Sequence, residues 1–214
     1  MKHLILFFSA AVFLIFAESA VSAQQIVYAD ASAFPLYGKV SEDTDGRYER
    51  LPSHLKTVSR EPVWYLGRNS AGLYIRFRSN STSIHLRWES MFNNSMTHMT
   101  DTGTKGLDLY ALQDGEWRHV CSAQPQGKKS ERAVIRYMDP IEREYMLYLS
   151  LYDGISSLEI GVDEGASLDM PAVDSPSSER PVVMYGSSIL QGGCASRAGM
   201  AHTNIRARRL AREV

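Results

Sequence analysis

The feature that most constrains this fold is a period-two alternation of apolar and polar side chains, running in short bursts from about Val63 to Val162. Successive side chains of an extended backbone point to opposite sides, so bursts of this kind describe strands with one buried face. In Leu73-Tyr74-Ile75-Arg76-Phe77-Arg78, residues Leu73, Ile75 and Phe77 share one face, and Tyr74, Arg76 and Arg78 the other. Ile84, Leu86 and Trp88 repeat the pattern against His85, Arg87 and Glu89. The polar segment Ser79-Asn80-Ser81-Thr82 between these runs predicts a hairpin. Two more are predicted at Asp114-Gly115 and Asp153-Gly154, because Asp-Gly between alternating runs suits a tight two-residue turn. Leu147, Leu149 and Leu151, then Leu158, Ile160 and Val162, supply further inward faces. Many short strands spaced by turns, with no convincing helix among them, predict an all-β jelly roll or β-sandwich.

The flanking sequence has a different character. Met1-Lys2-His3 precedes an apolar run from Leu4 to Phe16 and a small-residue segment ending at Ala23, which reads as a secretory signal peptide cut after Ala23. The run is shorter than the roughly 20 apolar residues of a membrane-spanning helix. Residues 1–23 are therefore a signal peptide, 24–163 the sandwich, and 164–180, rich in serine, acidic residues and proline, a linker. The final segment, 181–214, opens a second domain. Pro181-Val182-Val183-Met184-Tyr185 is a continuous apolar run of the kind a parallel strand shows when both its faces are buried. Gly186-Ser187-Ser188 and Gly192-Gly193 follow, and from about Met200 to Val214 the apolar spacing becomes helical. Strand, glycine turn and helix form the opening of an α/β domain.

The formal net charge is -1 with both signs interspersed, so no overall field attracts nucleic acid or anionic lipid. Cys121 and Cys194 fall outside any zinc-ribbon or redox spacing and are read as unrelated thiols, although an exported protein could pair them. His54, His85, His98, His119 and His202 lack ligand spacing, and no metal is expected.

A serine becomes a useful nucleophile at the tip of a tight turn, beside a base and beneath N–H groups that can receive an oxyanion. Gly186 and Ser188, after an apolar run, supply such a turn. The elbow G-x-S-x-G is not met, because Leu190 stands where its last glycine would be. The block Tyr185-Gly186-Ser187-Ser188-Ile189-Leu190-Gln191-Gly192-Gly193 resembles the first block of SGNH/GDSL hydrolases, with Ser187 in place of the motif's aspartate. Gly106-Leu107-Asp108-Leu109-Tyr110 resembles the G-x-D-L-Y signature of a β domain that precedes the hydrolase domain in some bacterial esterases.

The resemblance implies a flavodoxin-like hydrolase domain without metal or organic cofactor, whose nucleophile maps onto Ser188 and whose first oxyanion donor is the Ser188 backbone N–H. It also implies an asparagine in a G-x-N-D block and a base in a D-x-x-H block. No Asn-Asp pair and no Asp with His three positions later occurs in these 214 residues, so the chain is read as an incomplete form. Glu116 and His119 are no substitute, since an offset of three in a strand separates them onto opposite faces.

The expectation is a secreted or periplasmic carbohydrate esterase or deacetylase that acts through a serine acyl-enzyme on a small-molecule or glycan ester. Nucleic-acid binding and stable membrane insertion are not expected. The alternative is a non-catalytic carbohydrate-binding sandwich with a vestigial hydrolase segment, for which Trp64, Trp88, Trp117 and the tyrosines would form a stacking platform. Asp108 is read as a residue on the polar face of its strand. Arg206, Arg208, Arg209 and Arg212 are read as a solvated helix face.

Overall fold

A computed structural model describes residues 24–173 and 180–214. The signal-peptide reading of 1–23 and the Asp174–Glu179 part of the expected linker lie outside the described residues. The alternating bursts build two antiparallel sheets. One holds β1 (Ile26–Asp30), β4 (Ile84–Ser90), β7 (Lys129–Ile135) and β9 (Ile155–Asp163), in the order β1-β9-β4-β7. The other holds β2 (Leu36–Tyr37), β3 (Tyr74–Ser79), β5 (Leu107–Gln113), β6 (Glu116–Ala123), β8 (Arg143–Tyr148) and β10 (Leu168–Asp169). Its order is β10-β3-β8-β5-β6, with β2 paired to β3.

The expected all-β sandwich is therefore present, and its core contains the inward faces read from the alternation except Leu151, which packs in a separate cluster against Tyr148 and Tyr152 because it follows the end of β8. Leu73, Ile75, Phe77, Ile84, Leu86, Trp88, Leu147, Leu149, Leu158, Ile160 and Val162 are all buried in one cluster between the sheets. Phe77 stacks on Tyr145 with ring centroids 5.1 Å apart, and Trp88 Nε1 donates to the Lys105 carbonyl at 3.2 Å, so the indole enters the core with its polar atom satisfied.

Of the three predicted hairpins, one forms. Asp114 and Gly115 both take positive φ, 53° and 78°, as the tight turn joining β5 to β6 requires. By contrast, β3 and β4 lie in different sheets, and 79–82 carries the chain across the sandwich. That crossing is held by Asp163, whose carboxylate accepts from Ser81 Oγ, from Thr82 N and Oγ1, and from Ser83 N and Oγ, at 2.5–3.0 Å. β8 and β9 also lie in opposite sheets, so Asp153-Gly154 is not a hairpin turn. Buried Asp153 instead accepts from the N–H groups of Phe92 and Asn94 at 2.9 and 2.6 Å. A Cβ on Gly154 would come within 2.8 Å of the Arg68 carbonyl. The dipeptide serves as an acceptor and a close approach, two uses that sequence alone does not separate from a turn.

The Asp163 cluster carries a pH prediction. Burial pushes its carboxyl up, but hydrogen bonds from Ser83, Thr82 and Ser81 outweigh this and hold it below its ordinary value of 3.8. A carboxyl depressed in the folded state stabilises the fold above the unfolded-state value, and that stability is lost as pH falls through the folded value. We expect denaturant midpoints to drop below about pH 4. Asp163→Asn should flatten that part of the profile, and an unchanged acid limb in this variant would refute the assignment.

Helical pieces absent from the alternation reading are also present: α1 (Glu61–Gly67) and α2 (Asp101–Thr104) within the sandwich. β10 falls inside the stretch read as a linker. In the final segment, the buried strand expected over 181–185 does not form: these residues join no ladder among the described residues, Val182 N–H donates to the Glu213 carbonyl at 2.9 Å, and Val183 and Tyr185 are exposed. A strand of this kind completes its hydrogen bonds only against neighbouring strands. α3 (Ser188–Gln191), a 3-10 turn (Ala198–Met200) and α4 (His202–Leu210) follow, so the helix expected over 200–214 is shorter, closing at Ala211 with φ 49°. No helix among the described residues is long and apolar enough to cross a membrane.

Candidate active site

The glycine turn places Ser188 at the first residue of α3, exposed, immediately after Ser187 in an extended conformation (φ -90°, ψ -163°). The Ser187 carbonyl accepts from the N–H groups of Leu190 and Gln191 at 3.0 and 3.3 Å. The Ser188 carbonyl accepts from Gly193 N–H at 2.8 Å and from Tyr152 Oη at 2.9 Å. Gly192 ends α3 at φ 97°, where a Cβ would also lie 2.8 Å from Ala201 Cβ, so both conformation and space call for glycine. The first N–H groups of a helix have no intrahelical acceptor, which leaves the Ser188 N–H available to an incoming oxyanion. Ser188 Oγ makes no hydrogen bond among the described residues, and none of the histidines contacts it. Among the described residues the turn thus presents an exposed hydroxyl and a backbone N–H donor, with no imidazole in contact.

Beneath the turn lies the outer face of the six-stranded sheet. Tyr74, Tyr110, Met146, Tyr148, Leu151 and Tyr152 form a second apolar cluster with Ala198 and Ala201. The Gly106–Tyr110 block explains both clusters through its alternation. Leu107 and Leu109 point into the sandwich core, while Asp108 and Tyr110 point outward into this seam. Asp108 is fully buried, which corrects its reading as an ordinary polar-face residue. Its Oδ2 accepts from Arg197 Nη1 at 2.6 Å and Gly199 N–H at 2.8 Å, and its Oδ1 accepts from Ser122 Oγ at 2.6 Å. Arg197 Nη1 also donates to Tyr110 Oη at 2.7 Å. Arg208 lies 4.2 Å above the Tyr110 ring and 5.2 Å from that of Tyr148, so one residue read as part of a solvated face is instead a cation–π partner of the sandwich.

A bulge between β5 and β6 shapes the edge of this node. Leu109 pairs with Cys121 but Tyr110 with His119, so His119 and Ser122, three residues apart, share one face with their side chains 3.2 Å apart. Burial first, then the Arg197 guanidinium, holds the His119 imidazole below its ordinary pKa, with Asp108 opposing. The Asp108 carboxylate here binds the serine rather than orienting the histidine, which is the wrong order for a nucleophile triad.

The remaining candidates do not converge. Cys121 and Cys194 are unpaired, the second exposed. The three tryptophans make no common platform: Trp88 is in the core, Lys56 lies over Trp64 and Arg76 over Trp117. Among the described residues no group of His, Cys, Asp and Glu could hold a metal ion. Sequence reasoning missed Tyr152 and Arg197, whose roles arise across the seam. The available hint was the pair of polar residues in the otherwise apolar Leu107–Tyr110 block.

Comparison with known proteins agrees with this arrangement. Residues 26–168 match the GxDLY family, described as the N-terminus of Esterase_SGNH_hydro-type. Residues 179–214 match the GDSL-like Lipase/Acylhydrolase family. Among solved structures, a protein described as a GDSL-like lipase from Bacteroides ovatus ATCC 8483 is 36% identical with a TM-score of 0.81, over 86% of this chain and 53% of that one. The salicylyl-acyltransferase SsfX3 of a tetracycline biosynthetic pathway shares the fold at 21% identity and a TM-score of 0.62, over 90% of this chain and 53% of that one. A family two carbohydrate esterase from Cellvibrio japonicus shares it at 11% and 0.52, over 89% and 51%. The chain spans about half the length of these structures. A search of curated proteins found no match.

Proposed function

The chain belongs to the SGNH/GDSL esterase family, and on that premise we propose that it is the nucleophile-bearing part of an exported serine ester hydrolase acting on acylated glycans. The single observation that carries the reading is Ser188, exposed at the tip of a turn that pins both flanking carbonyls and leaves its own N–H free. In this reading Ser188 Oγ attacks the ester carbonyl, and the oxyanion of the tetrahedral intermediate rests on the Ser188 N–H. The alcohol leaves with the proton that Ser188 Oγ gave up, and water then cleaves the acyl-serine, releasing the carboxylic acid and restoring the serine hydroxyl. The glycan part of the proposal rests on the sandwich placed before the nucleophile, an architecture shared with a carbohydrate esterase. Export rests on the Met1–Ala23 pattern.

The test is covalent capture. The full-length protein, incubated with an aryl fluorophosphonate, should be labelled once, on the peptide containing Ser188, in parallel with loss of aryl-acetate hydrolysis. Labelling of Ser187 alone, or of neither serine while hydrolysis persists, would overturn the assignment. The 214-residue chain by itself should show no appreciable turnover, since no asparagine block or Asp-x-x-His base is present in it.

A further inference from the structure

Both peptide planes that flank Ser188 are fixed, and all but one of the donors that fix them come from the turn itself: Leu190 and Gln191 on the Ser187 carbonyl, and Gly192 and Gly193 on the Ser188 carbonyl. The remaining donor comes from elsewhere. Tyr152, in the connection between β8 and β9, donates its hydroxyl to the Ser188 carbonyl at 2.9 Å. Its ring is buried in the seam at 6% exposure. The preceding residue, Leu151, accepts from Gln191 Nε2 at 2.9 Å through its carbonyl, so two adjacent residues of the sandwich hold both ends of α3. Burial raises the Tyr152 phenol above its ordinary value, which keeps it a donor at neutral and mildly alkaline pH.

We infer that Tyr152 is a positioning residue for the nucleophile, setting the orientation of Ser188 from the β-sandwich, so that the sandwich is a structural part of the catalytic centre. This rests on the reading of Ser188 as nucleophile. Rotation of the Ser188 carbonyl swings the frame that carries Oγ, and reacting groups held slightly out of place lose rate steeply while substrate affinity is little changed. Without the Tyr152 hydroxyl, the same carbonyl still has the N–H groups of Gly192 and Gly193, so the turn should persist with a looser orientation.

The experiment compares parent, Ser188→Ala and Tyr152→Phe forms of the full-length protein, measuring kcat and KM for an aryl acetate, the rate of fluorophosphonate capture and the melting temperature. Tyr152→Phe should lower kcat and the capture rate together by about tenfold, with KM within about twofold and melting nearly unchanged. Hydrogen exchange should accelerate in peptides covering 186–194 and stay unchanged across β3. An unchanged kcat in Tyr152→Phe beside an inactive Ser188→Ala overturns the positioning role and leaves the nucleophile standing. Full turnover in Ser188→Ala overturns both. A kcat loss matched by a collapse in melting temperature or by acceleration across β3 assigns Tyr152 to folding alone and also overturns the role.

Discussion

Replacing Ser188 with alanine is expected to lower kcat of the full-length protein for an aryl acetate by about three orders of magnitude or more, with substrate binding retained. The size follows from the chemistry. Without Oγ no acyl-enzyme can form, and the remaining donors can only assist direct attack by water. Ser187 provides the internal comparison. It precedes α3, its side chain makes no capping bond, and its contribution to the turn runs through its carbonyl, which alanine keeps. Ser187→Ala should therefore cost far less than Ser188→Ala. The reverse order would reassign the nucleophile by one position, which is the single ambiguity the Gly-Ser-Ser motif contains.

The second large effect is expected from Asp108→Ala, and it should appear in stability. Asp108 is fully buried and is the carboxylate partner of Arg197, whose side chain is 23% exposed, and it also accepts from Gly199 N–H. Removing one member of a buried pair leaves the other uncompensated, at a cost of about 3 kcal/mol, the low end of the usual range because Arg197 retains some access to water. The loss falls on the seam, while the core between the two sheets keeps its own contacts. A local opening of the terminal segment should thus become roughly a hundredfold more populated. Trypsin reads this directly, because Arg197, Arg206, Arg208 and Arg209 lie in that segment. Cleavage there should accelerate in Asp108→Ala while the sandwich resists, and equal cleavage rates in variant and parent would refute the pairing.

The contrast between these residues shows what the sequence made legible. The alternation identified the inward faces of the strands, because burial on one side leaves a strict signal at spacing two. It was less able to say which strands pair. Asp114-Gly115 and Asp153-Gly154 are the same dipeptide between similar runs, yet only the first adopts positive φ at both residues, and the second turns a strand into the opposite sheet. The outward faces were the harder part. Asp108 and Arg208 are charged residues in amphipathic patterns, which ordinarily signal solvent, and only the approach of a second unit makes them interior. The Gly186–Gly193 turn was legible because it is local, whereas Tyr152 lies 36 residues upstream and nothing near it announces the contact.

The two-sided use of β5 has a consequence for recombination. Odd and even positions of Leu107–Tyr110 serve different partners, one set the sandwich and the other the segment that follows it. A single insertion or deletion there would exchange the two sets, burying charge in the sandwich and presenting leucine to Arg197. Chimeras that join the sandwich of one relative to the hydrolase segment of another should therefore fail unless the residues on both sides of the seam travel together, however freely the linker itself accepts a crossover.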